Sequence, residues 1–283
     1  MDIEKIRKEK PIQDLLNFSI LNIDKPTGPT SFSVSDYIRH ALDLSKTSHF
    51  GTLDPMVTGV LPVGLGRACR LSDYFMHRDK VYVGIMRLHK EVSEKDLRTE
   101  IEKFIGKINQ LPPVRSRVKR EIREREVKTF DILEIDGTDV LFSSKVQAGT
   151  YIRKLCDDIG KNLGGAHMLE LRRTEAGLFK EPCYTLYDLD KAIEDLKSGN
   201  EKTIRDMLVP AEIISTLYPV VELNKLSLKQ IKTGKPLFKK DIIGKFDLEE
   251  GDIFVGVCEG MFIGCYNVKA EDEIVARPGF IYN

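Results

Sequence analysis

A predicted β-hairpin in the middle of the chain constrains the fold more than any other feature of the sequence. The runs Thr129–Ile135 and Asp139–Gln147 have strand character, and Asp136-Gly137 between them suits a type I′ turn. Helical spacing predicts one helix from Ser93, ending at Gly106, and another that opens near Gly149. Because strands and helices are mixed without a regular βαβ order, the sequence predicts an α+β fold.

The N-terminal part of the chain predicts a strand, a turn and a helix. Residues 20–24 read as a short strand that runs into a turn at Lys25–Pro29. Ser33 followed by Asp36 is a capping-box pattern, and apolar residues then recur at helical spacing. The sequence therefore predicts a helix capped by Ser33.

A domain boundary is predicted near Thr216–Pro219. Beyond it come a lysine-rich stretch and two short apolar strands, Ile253–Cys258 and Met261–Val268. This tail has about 65 residues, close to the lower size limit for independent folding. We therefore expect a large domain at residues 1–216 and a small β-rich domain at residues 217–283.

The charge of the chain is balanced but unevenly distributed. Lysine plus arginine and aspartate plus glutamate number 44 each. Basic residues are concentrated in Arg115–Lys128 and Lys225–Lys245, and acidic residues in Phe246–Glu273. Cations that share one surface attract RNA phosphates even in a neutral chain. The alternative is that each run is the solvated face of a surface helix, and the charge pattern leaves both open.

Several classes of protein lack support in the sequence. The five cysteines are scattered and form no C-x-x-C pair, which argues against a zinc site or a disulfide framework and favours a reducing cytoplasm. No apolar stretch is long enough to span a membrane, and the charged N-terminus lacks the apolar region of a signal peptide. The motifs of zinc hydrolases, serine esterases and P-loop enzymes do not occur.

The stretch His49–Gly64 is the most unusual segment of the chain. It is rich in glycine, proline and apolar residues, and Asp54 is its only acidic residue. Glycine permits close approach of a ligand to the backbone, and proline fixes the loop around it. A carboxylate in such a setting is expected to be desolvated and matched by a cation or by hydrogen bonds. The alternative is a loop aspartate that caps the turn at Val57.

Three other residues are candidates for the same site. Arg153 is expected in the first turn of a helix, where its permanent charge could keep Asp54 ionised; otherwise it is an ordinary surface arginine. Tyr82 lies in an apolar run, so it is either a core tyrosine or a functional one. His49 is either a functional imidazole or a loop histidine held by local hydrogen bonds.

At these motifs the chain resembles the TruB/dyskerin family of pseudouridine synthases, most of all the archaeal branch that is guided by H/ACA RNAs. The segments Asn22–Ser31, His49–Pro62 and Gly149–Arg153 resemble its first, second and third motifs. Leu111–Arg120 is similar to the archaeal and eukaryotic branch, and Leu171–Gly177 resembles the end of the catalytic fold. The likeness runs from about Lys10 to Leu189.

The resemblance implies a mixed-sheet catalytic domain with a central cleft, followed by a small PUA-like pseudo-barrel that binds RNA. In the tail, Ile231–Gly234 and Glu250–Asp252 fit a PUA domain. The chain departs from archaeal relatives in lacking their tryptophan-containing end, since it has no tryptophan at all.

The resemblance also implies the catalytic residues. Asp54 is the expected catalytic carboxylate, and Arg153 is expected to hold it ionised and oriented. Tyr82 is expected to stack on the detached uracil and to take or relay a proton. No cofactor and no metal are implied. Whether Asp54 forms an adduct or first assists proton removal at C2′ stays open.

Four further residues are implied to contact the substrate. His49 is expected where the flipped nucleotide leaves a space, and Lys25 on the turn beside the cleft. Ile152 and Leu171 are expected to give the pocket apolar walls that retain detached uracil.

The sequence leaves the substrate open. A standalone enzyme, monomeric by itself, would modify uridine 55 in the T-loop of tRNA. A guided enzyme would join an H/ACA ribonucleoprotein with small accessory proteins and act on rRNA. Two rivals from other classes are a catalytically silent RNA-binding scaffold and a nucleoside hydrolase. Intact Asp54, Tyr82 and Arg153 argue against the first, and the basic tail argues against the second.

Overall fold

The computed structural model describes residues 1–112, 119–271 and 273–283. Residues 113–118 of the segment similar to the archaeal and eukaryotic branch lie outside the described residues, as does the start of the basic run Arg115–Lys128 and one residue of the acidic run. No helix within the described ranges is long and apolar enough to cross a membrane.

The elements alternate between short helices and strands along the whole chain. The helices are α1 (Ile3–Glu9), α2 (Ile12–Asn17), α3 (Ser31–Ala41), α4 (Ser72–Met76), α5 (Glu94–Glu102), α6 (Ile152–Gly160), α7 (Leu186–Lys197), α8 (Lys202–Met207) and α9 (Leu228–Lys232). The strands are β1 (Ser19–Lys25), β2 (Thr47–His49), β3 (Thr58–Leu65), β4 (Lys80–Leu88), β5 (Gly106–Gln110), β6 (Arg123–Asp136), β7 (Asp139–Val146), β8 (Ala166–Ala176), β9 (Phe179–Lys180), β10 (Leu208–Pro210), β11 (Val220–Glu222), β12 (Leu237–Phe238), β13 (Ile253–Cys258), β14 (Met261–Glu271) and β15 (Ile274–Ile281). Short 3₁₀ turns cover Gly66–Leu71, Lys161–Leu163, Ala211–Thr216, Lys225–Ser227 and Lys239–Asp241.

One large mixed sheet forms the centre of the molecule, in the order β10-β1-β3-β8-β4-β7-β6-β5. Most neighbours in it are antiparallel, but β3 and β8 run parallel where Thr58 pairs with Arg172 and Gly59 with Arg173. Gly59 has a φ of 98°, and a Cβ there would lie 2.2 Å from the Arg173 carbonyl oxygen, so only glycine lets the two strands approach. The predicted α+β class is confirmed.

Two apolar clusters cover the two halves of this sheet. One joins α5 and α6 to β4, β6 and β7 through residues such as Leu97, Leu155 and Phe142. The other joins α2, α3 and α7 to β1 and β3. The halves meet where β3 lies beside β8, which places the loop that precedes β3 at the joint.

A second sheet begins at Val220 and has the order β11-β13-β14-β15-β12. It has an apolar cluster of its own around Phe254 and Tyr266. It also packs on the main sheet, where the ring of Phe18 lies 5.4 Å from that of Phe262 between centroids. The predicted β-rich tail is therefore confirmed, and its division at residues 216 and 217 stays a prediction.

Two local predictions are wrong in detail. The helix predicted after Ser33 is α3, but its N-cap is Thr30, whose side chain accepts from the Ser33 backbone N–H. Serine and threonine are both favourable N-caps. Because the turn ends at Pro29, Thr30 is the first residue available to cap the helix. The helix predicted from Ser93 is capped there as expected, but it ends at Glu102 rather than at Gly106.

The central hairpin is confirmed with a different turn. Asp136 pairs with Asp139, so Gly137 and Thr138 form the tip, one residue later than predicted. Gly137 has a positive φ of 56° whereas Thr138 does not, so the turn is not the predicted type I′, which needs a positive φ at both central residues.

Candidate active site

Asp54 lies at the tip of the loop between β2 and β3, paired with Arg153. The Arg153 Nη2 atom donates to Asp54 Oδ2 at 2.7 Å, and the side chains are 54% (Asp54) and 56% (Arg153) exposed. The predicted partner is confirmed, but the predicted desolvation of Asp54 is wrong. Leu53 and Val57 turn into the core on either side, and this leaves the intervening Asp54 on the outside.

The alternative role for Asp54 as a turn cap is also wrong. The Val57 N–H does close a turn, but it donates to the backbone oxygen of Asp54 at 3.0 Å rather than to its carboxylate. The Asp54 carboxylate therefore does not cap this turn.

Arg153 reaches Asp54 because of the way α6 sits on the sheet. Gly149, with a φ of 82°, lies in the turn before the helix. Ile152, Leu155 and Cys156 are buried on the inner face of α6. Arg153 follows Ile152 by one position, so its side chain is turned about 100° around the helix from the buried one and reaches the loop.

Lys25 supports the Asp54 loop from below. It is fully buried at the end of β1, and its Nζ donates to the carbonyl oxygens of Pro26 at 2.7 Å, Pro55 at 3.0 Å and Val57 at 2.9 Å. Burial lowers the pKa of Lys25, and the Asp54 charge opposes that shift. All three donors of the ammonium group are used to hold the loop and the turn after β1, and a contact of Lys25 with substrate stays a prediction.

The segment that resembles the first motif makes two further contacts with the loop. Ser31 Oγ donates to the Leu53 carbonyl at 3.0 Å and accepts from the Leu53 N–H at 2.8 Å. The Gly28 N–H donates to the Pro55 carbonyl at 2.9 Å. Hydrogen bonds from one segment therefore fix both sides of Asp54.

Arg173 is a site residue that the sequence did not identify. Its side chain is buried, with Nε donating to the Val60 carbonyl at 2.8 Å and Nη2 donating to the Gly51 carbonyl at 3.0 Å. Tyr82 is the cross-strand neighbour of Arg173 on β4. Burial lowers the pKa of Arg173, and the nearby Tyr82 opposes that shift.

Tyr82 is buried on β4, between Ser144 of β7 and Arg173 of β8. It shares one apolar cluster with two loop residues that flank Asp54 and with both predicted pocket walls: Leu53, Val57, Ile152 and Leu171. Tyr82 is thus a core tyrosine, and its functional role stays a prediction. The structure brings together the loop of Asp54, Tyr82, Ile152 and Leu171, as predicted.

His49 lies at the end of β2, directly before the loop. Burial and the charge of Arg173 lower the pKa of His49, so the imidazole is neutral at pH 7. Its Nδ1 atom is buried and has no hydrogen-bond partner in the described part of the chain. The interpretation of His49 as a loop histidine held by local hydrogen bonds is therefore not supported at Nδ1. Within residues 1–112, 119–271 and 273–283, no group of three or more His, Cys, Asp or Glu is placed to hold a metal ion.

Comparison with known proteins places these residues within matched regions. The sequence profile of the N-terminal domain of TruB family pseudouridylate synthases matches residues 39–152. The profile of the tRNA pseudouridylate synthase B C-terminal domain matches residues 153–215. The chain is 43% identical over 280 residues to the "Probable tRNA pseudouridine synthase B" of Methanothermobacter thermautotrophicus, covering 96% of this chain and 86% of that protein.

The fold is similar to those of chains in two solved assemblies. A chain in the crystal structure of a Cbf5–Nop10–Gar1 complex superposes with a TM-score of 0.88 at 36% identity, covering 97% of this chain and 88% of that one. A chain of an H/ACA RNP bound to a substrate RNA containing 2′-deoxyuridine superposes with a TM-score of 0.86 at 33% identity, covering 98% and 89%.

Proposed function

The chain belongs to the TruB family of pseudouridine synthases, and from this premise we propose that Asp54, Tyr82 and Arg153 are the catalytic residues with which it isomerises uridine in RNA. The observation that carries the proposal is the 2.7 Å pair between Arg153 and Asp54. The pair lies on a loop whose flanking residues pack in the same cluster as Tyr82.

Asp54 supplies the carboxylate that cleavage of the N1–C1′ bond requires. Breaking a glycosidic bond builds positive character at C1′, which a carboxylate stabilises or captures as a nucleophile. Arg153 keeps Asp54 ionised, because a guanidinium does not lose its proton in proteins and favours the charged form of a neighbouring acid. More than half of the Asp54 side chain is exposed, so a nucleotide arriving from solvent can reach it.

The uridine must leave its own RNA structure to reach this carboxylate. Flipping a base out costs a few kcal/mol, which the protein offsets by binding the base. Tyr82 provides a ring for stacking, and Ile152 and Leu171 provide apolar walls that retain detached uracil. We propose that His49, next to the loop, occupies the space that the flipped nucleotide leaves. Lys25 acts through the loop and not by contact with RNA.

We propose that the substrates are RNAs presented in two ways. The archaeal relative is named a tRNA pseudouridine synthase, which supports action on uridine 55 of tRNA. The similar chains in a Cbf5–Nop10–Gar1 complex and in an H/ACA RNP support a second role with guide RNA and small accessory proteins. The tail at residues 217–283 would act as a PUA-like RNA-binding domain, and the chain would work in the cytoplasm without a cofactor.

A silent RNA-binding scaffold is the competing function, and the assembled site argues against it. A scaffold has no need for an arginine held on an exposed carboxylate, or for buried side chains that fix the loop beneath it. A nucleoside hydrolase would release free uracil, which provides a direct distinction between the two chemistries.

The proposal is tested by tritium release from RNA that carries [5-³H]uridine. Purified protein is incubated with a tRNA transcript alone, and then with accessory proteins, guide RNA and an rRNA target. Release from tRNA alone supports standalone action, and release that requires the guide supports guided action. A protein that binds these RNAs but releases no tritium in either assay would be a scaffold, and free uracil among the products would identify a hydrolase.

A further inference from the structure

Arg173 is a buried cation whose charge has no carboxylate partner. It is 1% exposed, and its two hydrogen bonds within the strands and loop go to the neutral carbonyls of Gly51 and Val60. Within the described ranges, no aspartate or glutamate forms an ion pair with it. A desolvated charge is normally matched by an opposite charge, because hydrogen bonds to neutral groups offset only part of its desolvation.

Two further basic groups share this buried region. Lys80 donates to the carbonyls of Met76 and Arg78, each at 2.6 Å. Burial and the charge of Arg173 lower the pKa of Lys80 to about 8. His49 is shifted in the same direction by the same two causes. The charge of Arg173, which no carboxylate in the described residues offsets, therefore acts on both neighbouring groups beneath the Asp54 loop.

Tyr82 is the residue next to this positive charge. It is the cross-strand neighbour of Arg173 in the β4–β8 ladder, and both side chains are buried. Fixed donors aimed at an oxygen act strongly when water is excluded, and they need no reorganisation during the reaction.

We propose that Arg173 is a positioning residue that holds the Tyr82 hydroxyl and stabilises negative charge on its oxygen while the proton at C5 of uracil is transferred. The inference rests on the role proposed above for Tyr82. It adds that the buried guanidinium, and not only the exposed one at Arg153, sets the rate.

The step balances without an oxidant or a reductant. Isomerisation moves C1′ from N1 to C5 and moves one proton from C5 to N1. The ring electrons form the C5–C1′ bond, the C5–H bond then breaks, and its electron pair returns to the ring. The Tyr82 hydroxyl first gives its own proton to N1, and its oxygen, stabilised in the anionic state by the guanidinium of Arg173, then accepts the proton from C5, which restores the hydroxyl.

The test compares Arg173→Lys and Arg173→Gln with a matched control, Arg205→Gln. Arg205 also donates to two backbone carbonyls, those of Arg7 at 3.0 Å and Lys10 at 2.8 Å, but it lies on α8 and its charge is paired with Glu201 at 2.7 Å. Thermal unfolding establishes that each variant folds. Single-turnover isomerisation is then measured with [5-¹H] and [5-²H]uridine RNA, in the wild-type and Tyr82→Phe backgrounds.

We expect Arg173→Gln to slow isomerisation about 100-fold and Arg173→Lys about 10-fold, with RNA affinity unchanged, whereas Arg205→Gln keeps the wild-type rate. The hydrogen isotope effect should increase in both Arg173 variants, because C5 proton transfer becomes slower relative to other steps. In the Tyr82→Phe background the Arg173 substitutions should add no further loss.

An equal loss in both backgrounds, or a loss without any increase in the isotope effect, would overturn the proposal and leave Arg173 a purely structural residue. If Arg173→Gln does not fold, the isotope effect and the additivity with Tyr82→Phe are measured on Arg173→Lys instead, with the same expected and contradicting results. Failure of the wild-type protein to isomerise any RNA would count against the proposed function, and is thus distinct from these outcomes.

Discussion

The exposed pair of Asp54 with Arg153 contrasts with the buried cations beneath it. The side chains of the pair are more than half exposed, whereas Lys25 and Arg173 are 0% and 1% exposed. The exposed pair contributes little to stability, since surface ion pairs are worth about 0–1 kcal/mol. The buried cations hold the backbone of the loop. The difference fits the proposal that the accessible carboxylate reacts and that the buried cations position it.

The largest effect is expected for Asp54→Asn, which removes the charge but keeps the shape. We expect tritium release to fall by about 10⁴-fold and the free energy of unfolding to change by less than about 0.5 kcal/mol. Asp139→Asn is the matched control, because Asp139 forms an exposed pair with Arg87 at 2.6 Å remote from the loop. Equal activity losses in the two variants would remove the special status of Asp54.

The substitution Lys25→Met tests the role of the buried cations beneath the Asp54 loop. It removes the Lys25 donor from three carbonyl oxygens, of which that of Pro55 keeps the Gly28 N–H, so we expect a loss of about 3–5 kcal/mol in the free energy of unfolding by urea. The control is Lys5→Met, at a lysine that is 65% exposed, where a change below about 0.5 kcal/mol is expected. A loss of activity at unchanged stability would show that Lys25 acts on the substrate instead.

Lys80 is expected to make the free energy of unfolding depend on pH. The folded pKa of Lys80 is lowered from 10.5 to about 8, so between these values the unfolded chain holds the proton more tightly than the folded chain. The contribution of Lys80 to stability therefore rises with pH across that window, by about 3 kcal/mol in total.

The measurement is the difference in unfolding free energy between the wild-type protein and Lys80→Met at pH 7.5 and pH 10. Other groups titrate in both proteins and cancel in the difference. A difference that stays constant with pH would mean that Lys80 is not desolvated in solution.

The smallest effect is expected for Arg153→Lys, which keeps a charge next to Asp54 but loses the planar donor group. We expect the rate of isomerisation to fall about 10-fold and the stability to stay within about 0.5 kcal/mol of the wild type. Arg87→Lys, in the remote exposed pair, should leave the rate unchanged. A large loss of stability in Arg153→Lys would show that Arg153 stabilises the fold as the buried cations do, and would contradict the contrast between the exposed pair and those cations.

The sequence predicted the α+β class, the central hairpin and the pairing of Asp54 with Arg153. The class and the hairpin depend on periodicity and turn residues, which are local, whereas the pairing joins residues 99 positions apart and was expected from the motifs that resemble a known family. It did not predict that Asp54 is exposed. The apolar composition of its segment suggested burial, but Leu53 and Val57 take the inward positions and the turn between them faces outward.

Arg173 shows a second limit of sequence reasoning. Arg172 and Arg173 are adjacent in a strand, so their side chains must point to opposite faces, but the period of two does not say which one points inward. The structure pairs Arg172 with Asp24 at 2.8 Å in a partly exposed position and buries Arg173 under the loop. That choice depends on the β3–β8 contact between segments more than 100 residues apart in the chain.

A structure of the protein bound to RNA that carries a uridine analogue unable to isomerise at the target position would show directly where Asp54 lies relative to the sugar. We predict that a carboxylate oxygen of Asp54 lies about 3–3.5 Å from C1′ of the flipped nucleotide, with its base over Tyr82 and the Lys25 and Arg173 contacts unchanged. A target base that remains stacked in the RNA, or a sugar that sits away from Asp54, would contradict the account.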